Sequence, residues 1–189
     1  VTVSSHLSGT CQSANLAKMI SEYEDHIYVV DSQTGTHAAK LIALKAVELA
    51  KANHDFKYVC DYLDEYKTRV KLFAVVDTLD YFLMGGRIDK TSAMVGNLLK
   101  LKPILTVVDG KLDVTDKKRG TKKATTRIVE LMQESGEIDF DEPAIIAYTG
   151  NDIPMEAFEN TIKESFAFKT LLKGNVGPVV GSHAGPGAR

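Results

Sequence analysis

Two short polar segments hold most of the side chains in this sequence that could contact a ligand. They are Ser4-Ser5-His6-Leu7-Ser8-Gly9-Thr10 near the start and Ser182-His183-Ala184-Gly185-Pro186-Gly187 near the end. Both read as glycine-framed turns carrying hydroxyl or imidazole groups on backbone that admits close approach. The first follows the apolar Val1-Thr2-Val3 and opens a helix. The leading amides of a helix lack internal partners and carry partial positive charge, so such a turn suits a carboxylate or phosphate. A helix end contributes about 0.3–1 kcal/mol to an anion when exposed and up to about 2 when partly buried. That orients an anion without holding it. The same pattern also fits an ordinary helix cap at Ser8.

Three further groupings of residues bear on chemistry. Gly85-Gly86-Arg87 places a guanidinium after two conformationally free residues, where it could fork two hydrogen bonds to a carboxylate or phosphate, or brace its own loop. Ser5 or Ser8 with His183 could form a nucleophile and base of a hydrolase or phosphoryl-transfer enzyme. However, the turn is not Gly-x-Ser-x-Gly and no acid is placed to orient the histidine. His6, His26, His37 and His54 show no metal-ligand spacing with each other or with Cys11 and Cys60. There is no Walker-type loop and no dinucleotide fingerprint, so no seat for a nucleotide cofactor is visible.

The composition is that of a globular chain large enough for one large domain or two small ones: 189 residues, 44% hydrophobic, 25% charged, net charge −2. It points to neither nucleic acid nor a membrane span, leaving at most transient membrane contact. Two cysteines are too few for a disulfide framework, which fits a reducing cytoplasm. Charge is uneven. Residues 100–127 hold nine Lys or Arg against three Asp, and 134–164 hold nine acids against one Lys. These are two solvated faces or, for the basic stretch, a surface that docks an acidic or phosphate-bearing partner through Lys117, Lys118, Arg119, Lys122 and Lys123.

The elements that must position these residues follow from periodicity. Strands at 1–3 and 27–30 flank a helix over about 11–22 with Ala14, Ala17 and Ile20 inward, a βαβ unit. A helix over 38–52 is apolar nearly all round, and a second begins at an Asp55 cap with Phe56, Val59, Cys60, Leu63 and Val70 in register. The texture changes near Arg69 to Lys71, which divides the chain into domains 1–69 and 70–189. Beyond it come a strand at 72–76, a helix capped by Thr91 or Ser92 and ended by Pro103, and a hairpin over 104–115 turning at Asp109-Gly110. A helix over 121–135, a strand at 144–148, a helix from Pro154, and strands near Leu171 and over 176–180 complete the pass. The chain opens on Val, with a strand already under way, and reads as a fragment of a longer protein.

Five segments in this order resemble the DegV family: Ser4 through Ala14, Val30-Asp31-Ser32, Gly85-Gly86-Arg87-Ile88, Leu98 through Ile104, and His183-Ala184-Gly185-Pro186-Gly187-Ala188. The resemblance spans essentially the whole chain and departs from the family at Gln33-Thr34-Gly35-Thr36-His37, where a Ser/Gly-rich helix start is usual. It implies a two-domain α/β fold: an incomplete Rossmann-like parallel βαβ domain, lacking its N-terminal segment, then a two-layer α/β domain with a mixed sheet. It also implies a bacterial cytoplasmic carrier, not an enzyme, that buries a long-chain fatty acid between its domains and needs no cofactor. The carrier would present the carboxylate to a separate fatty acid kinase. On that pattern Ser5, Ser8 and His183 bind the carboxylate, Gly86 and Arg87 lie at the pocket mouth, and Lys118 and Arg119 belong to a kinase-facing basic surface.

Overall fold

A computed structural model of the chain describes residues 1–89, 101–150 and 155–189. The fold is mixed α/β, and the chain divides into two compact units. The first comprises Val1–Leu72 with Val107–Lys111; the second comprises Phe73–Thr106 and Leu112–Arg189.

The first unit is largely helical. Helix α1 (Thr10–Met19) is followed by α2 (Thr36–Lys51) and α3 (Phe56–Arg69). In α2 the buried positions Ala38, Ile42, Lys45 and Leu49 recur at helical spacing, and α3 answers with Cys60, Leu63 and Tyr66. Val30, Ile42, Leu63 and Tyr66 form the core between them. The predicted Asp55 cap is present: its carboxylate accepts the Tyr58 amide at 3.0 Å.

Several local expectations fail here for identifiable reasons. The two predicted strands meet only at one parallel bridge, Thr2 to Asp31, because the chain turns away at once and Ser4 donates its amide to Thr34 instead. Helix α1 ends at Met19, so Ile20 lies beyond it and is 87% exposed; Ala17 is exposed too. Helix α2 is covered on one face alone, leaving Leu44 and Val47 exposed despite their apolar character.

The second unit is built around β1 (Phe73–Val75) and β2 (Leu101–Val108), which pair antiparallel with Val75 opposite Ile104. β3 (Lys111–Arg119) flanks β2 through the predicted Asp109-Gly110 turn, whose residues both take positive φ, 48° and 77°, the signature of a type I′ hairpin. A separate parallel pair joins β4 (Ala144–Tyr148) to β5 (Leu171–Asn175). Parallel and antiparallel pairing are thus both present, on two sheets. Pro103 does not end a helix. It sits inside β2, fully buried, and its carbonyl accepts the Val76 amide at 3.1 Å, so the ladder continues there on the acceptor side although proline has no N–H to donate. The predicted helix face at Met94, Val95, Leu98 and Leu99 and the helix start at Pro154 lie outside the described residues.

Alternation along β1 and β2 builds two cores. Val75 and Ile104 point to one containing Ala124, Ile128 and Leu131 of α5 (Thr121–Glu134) and Phe158 and Ile162 of α6 (Met155–Ser165). Val76 and Leu105 point to the other, with Phe82, Ala184 and Ala188. The second core carries the candidate site. Phe82 belongs to the short α4 (Asp80–Met84) and Ala184 to α7 (Pro178–Ala184). The predicted strand over 176–180 is not formed: residues 178–180 are instead the start of α7. Gly177 is extended and Pro178 stands at the first helical position, where its fixed φ favours a helix and its missing N–H costs nothing.

Candidate functional site

In the first unit the serine turn assigns three different jobs to three serines. Ser4 is fully buried; its hydroxyl donates to the Gly110 carbonyl at 2.7 Å and accepts the His6 amide at 3.2 Å. It is committed to structure. Ser5 is exposed, and its backbone amide donates to the Asp31 carboxylate at 3.2 Å. Ser8 Oγ lies 2.8 Å from Thr10 Oγ1 and accepts the Thr10 amide at 3.3 Å. Gly9, not Ser8, is the capping residue of α1. Two hydroxyls sharing one hydrogen bond retain one proton free to donate.

Asp31 is the electrostatic centre of this turn. Burial pushes its carboxyl up, but hydrogen bonds from the Ser5 hydroxyl and from the Gln33 and Ser5 amides outweigh that and hold it below the usual range. A carboxyl lowered by folding contributes stability above its unfolded value, near pH 4, and loses it as pH falls through the folded value. The stability gap between the wild type and Asp31→Asn is therefore expected to be widest at neutral pH and to close on acidification below about pH 4. Thermal midpoints across an acid series check this; a constant gap would remove Asp31 as the titrating group.

In the second unit His183 does not occupy a glycine-rich loop, as expected from sequence, but the last turn of α7. The helix closes at Ala184, and Gly185 follows with φ 73°. The His183 imidazole rests on the backbone of Gly85: a Cβ there would lie 2.0 Å from its Nδ1. Arg87, from the same Gly-Gly-Arg segment, donates from Nη1 to the Gly85 carbonyl at 2.5 Å. Two of the sequence candidates, distant along the chain, thus meet at one glycine. Gly86 beside them has φ 67° and open space where a Cβ would project.

The contact at Gly85 repeats down the seam. A Cβ on Gly185 would lie 2.3 Å from the Tyr81 ring, and one on Gly187 would lie 3.0 Å from the Asp77 carboxylate. Asp77 in turn pairs with Lys102 at 2.7 Å. Sequence reasoning marked these glycines as ligand-approach positions, whereas the structure shows side chains of the same unit filling the space they leave. Thr149 and Tyr81 went unnoticed because nothing in their local sequence marks them.

The basic hairpin is partly neutralised. Lys118 lies 3.2 Å from Asp116, which also accepts Arg127 Nε at 2.7 Å. Arg127 reaches on to Glu130 and Glu134, at 3.0 and 2.6 Å. Arg119 is exposed. Among the described residues no cluster of three or more His, Cys, Asp or Glu could hold a metal ion, and no helix is long and apolar enough to cross a membrane.

A family model described as "Uncharacterised protein, DegV family" matches residues 1–189. The chain belongs to the DegV family. It is 33% identical over 189 residues to a DegV domain-containing protein of Caldanaerobacter subterraneus, covering all of this chain and 67% of that one. A DegV family protein from Thermus thermophilus, described by its fatty acid binding, superposes with a TM-score of 0.89 at 32% identity, over 98% of this chain and 66% of the other. The Fak B3 protein of the Streptococcus pneumoniae fatty acid kinase, solved loaded with linoleic acid, superposes at 0.87 with 25% identity, over 99% and 67%. This DegV chain spans about two thirds of the length of the relatives it matches.

Proposed function

We propose that this DegV protein is a cytoplasmic carrier that binds one long-chain fatty acid and presents its carboxylate to a separate fatty acid kinase, doing no chemistry itself. The observation that carries the reading is the meeting of His183 and Arg87 at Gly85, in a fold whose solved relatives hold fatty acids. An imidazole and a guanidinium on one short stretch of backbone suit an anionic headgroup, and later the acyl phosphate a kinase would make of it. Ser5 and Ser8 are the hydroxyl donors of the proposal, with Gly86 and Arg87 at the pocket mouth. The arrangement favours Ser8: Ser5 already serves the Asp31 carboxylate, and a second anion beside that charge would be repelled.

The energetics divide the labour. Each buried methylene contributes about 0.8 kcal/mol, so a tail of about fifteen offers about 12 kcal/mol gross, while headgroup hydrogen bonds add about 1–3. The tail supplies affinity and the polar groups set its direction. In this proposal Lys118 and Arg119 contribute to the surface that meets the kinase, Arg119 being the more exposed of the two.

Mass spectrometry of an organic extract from the full-length protein is expected to show a stoichiometric fatty acid; an extract free of lipid, with no uptake of added oleic acid, overturns the reading. His183→Ala is expected to keep the fold and to lower phosphorylation of the bound acid by the kinase, read as acyl phosphate formed. Undiminished phosphorylation removes His183 from the headgroup.

A further inference from the structure

Outside the residues of the proposed headgroup site, one buried side chain holds the turn that directly follows the His183 helix. Thr149, just past the end of β4, is buried. Its hydroxyl donates to the Gly185 carbonyl at 2.6 Å and accepts the Ala188 amide at 2.9 Å. Its own amide donates to the Ala188 carbonyl at 2.9 Å. One side chain thus ties both ends of the turn that follows α7.

That turn begins where α7 must stop. Gly185 still donates its amide back to the Gly181 carbonyl at 2.8 Å, then leaves the helix with φ 73°. The Tyr81 ring packs on one side of Gly185, and its carbonyl is held by Thr149. His183 lies two residues earlier, and its ring rests on the bare backbone of Gly85. A shift of the helix end would swing the imidazole off that glycine.

We propose that Thr149 is a positioning residue: through the Gly185 carbonyl and the Ala188 amide it fixes the end of α7, and so aims His183 at the anionic headgroup of the bound lipid. The inference rests on the fatty-acid reading above. Valine has the shape of threonine and makes neither bond, whereas serine makes both.

The test compares a fatty acid with the alcohol of the same chain, oleic acid and oleyl alcohol, on the full-length protein. A tail contact weighs on both ligands alike; a headgroup contact weighs on the acid alone. Thr149→Val is expected to reduce the preference for acid over alcohol by about tenfold, the effect of one lost headgroup interaction. Thr149→Ser is expected to retain it, and His183→Ala to lose it. A Thr149→Val that weakens both ligands equally, or neither, while His183→Ala loses the preference, overturns the role of Thr149 and leaves the headgroup reading standing. A preference unchanged in His183→Ala overturns the headgroup reading and this inference with it. Thr149→Ala, which adds no bulk, carries the same comparison if the valine variant does not fold.

Discussion

Gly85→Ala is expected to lower fatty acid affinity by about tenfold or more, equivalent to about 1.4 kcal/mol. The backbone is not the obstacle, since Gly85 has φ −76° and ψ −9°, a helical conformation open to any residue. The obstacle is the neighbour. An added Cβ would lie 2.0 Å from His183 Nδ1 and 2.6 Å from Cε1, well inside van der Waals contact. Either the imidazole leaves or the end of α4 retreats, and each separates His183 from Gly85. Forcing an extra methyl into a packed site costs about 1–3 kcal/mol of stability, so the thermal midpoint should fall as well. Titration calorimetry with oleic acid and a thermal melt check the two effects. An unchanged affinity would show that His183 can leave Gly85 without consequence, which the proposed site does not allow.

Gly185→Ala is expected to have the larger effect on stability. Here backbone and packing act together. With φ 73° and ψ 174°, Gly185 occupies a region that only glycine enters readily, at a cost of about 1–3 kcal/mol for another residue. The methyl would also lie 2.3 Å from the Tyr81 ring, adding about 1–3 kcal/mol of overpacking. Against a total stability of about 5–15 kcal/mol, the sum leaves the variant marginal. The two contributions separate in a double mutant. Tyr81→Ala removes the ring but not the strain, so Gly185→Ala should cost less in that background, by the overpacking share alone. Denaturant unfolding of the four proteins gives the coupling; strict additivity would mean that the ring yields freely.

These predictions fall on residues whose importance differs sharply in how it is written in the chain. The helices α2, α3 and α5 were legible because their buried positions recur at three- and four-residue spacing, and Asp55 caps α3 as its type suggests. The Asp109-Gly110 turn was legible because few dipeptides tolerate two positive φ values in succession. Segment order and the motifs within it were enough to assign the DegV family. All of these are local signals, stored in neighbouring residues.

Position relative to distant residues is not stored that way. Val179 and Val180 favour a strand by type, yet after Gly177-Pro178 they enter a helix whose last turn holds His183, outside its expected loop. Nothing in the serine turn marks Ser4 as structural; the Gly110 carbonyl, more than a hundred residues on, takes its hydroxyl. Thr149 carries no mark at all; two backbone partners nearly forty residues on give it its role.

Local spacing therefore settled helices α2, α3 and α5, the Asp109-Gly110 turn and the family, because helix and turn preferences depend on adjacent side chains. Which pieces touch was decided by burial and by the demand that each sequestered polar group find a partner, and both are properties of the packed chain. The contacts that His183 and Arg87 each make with Gly85 belong to that second class.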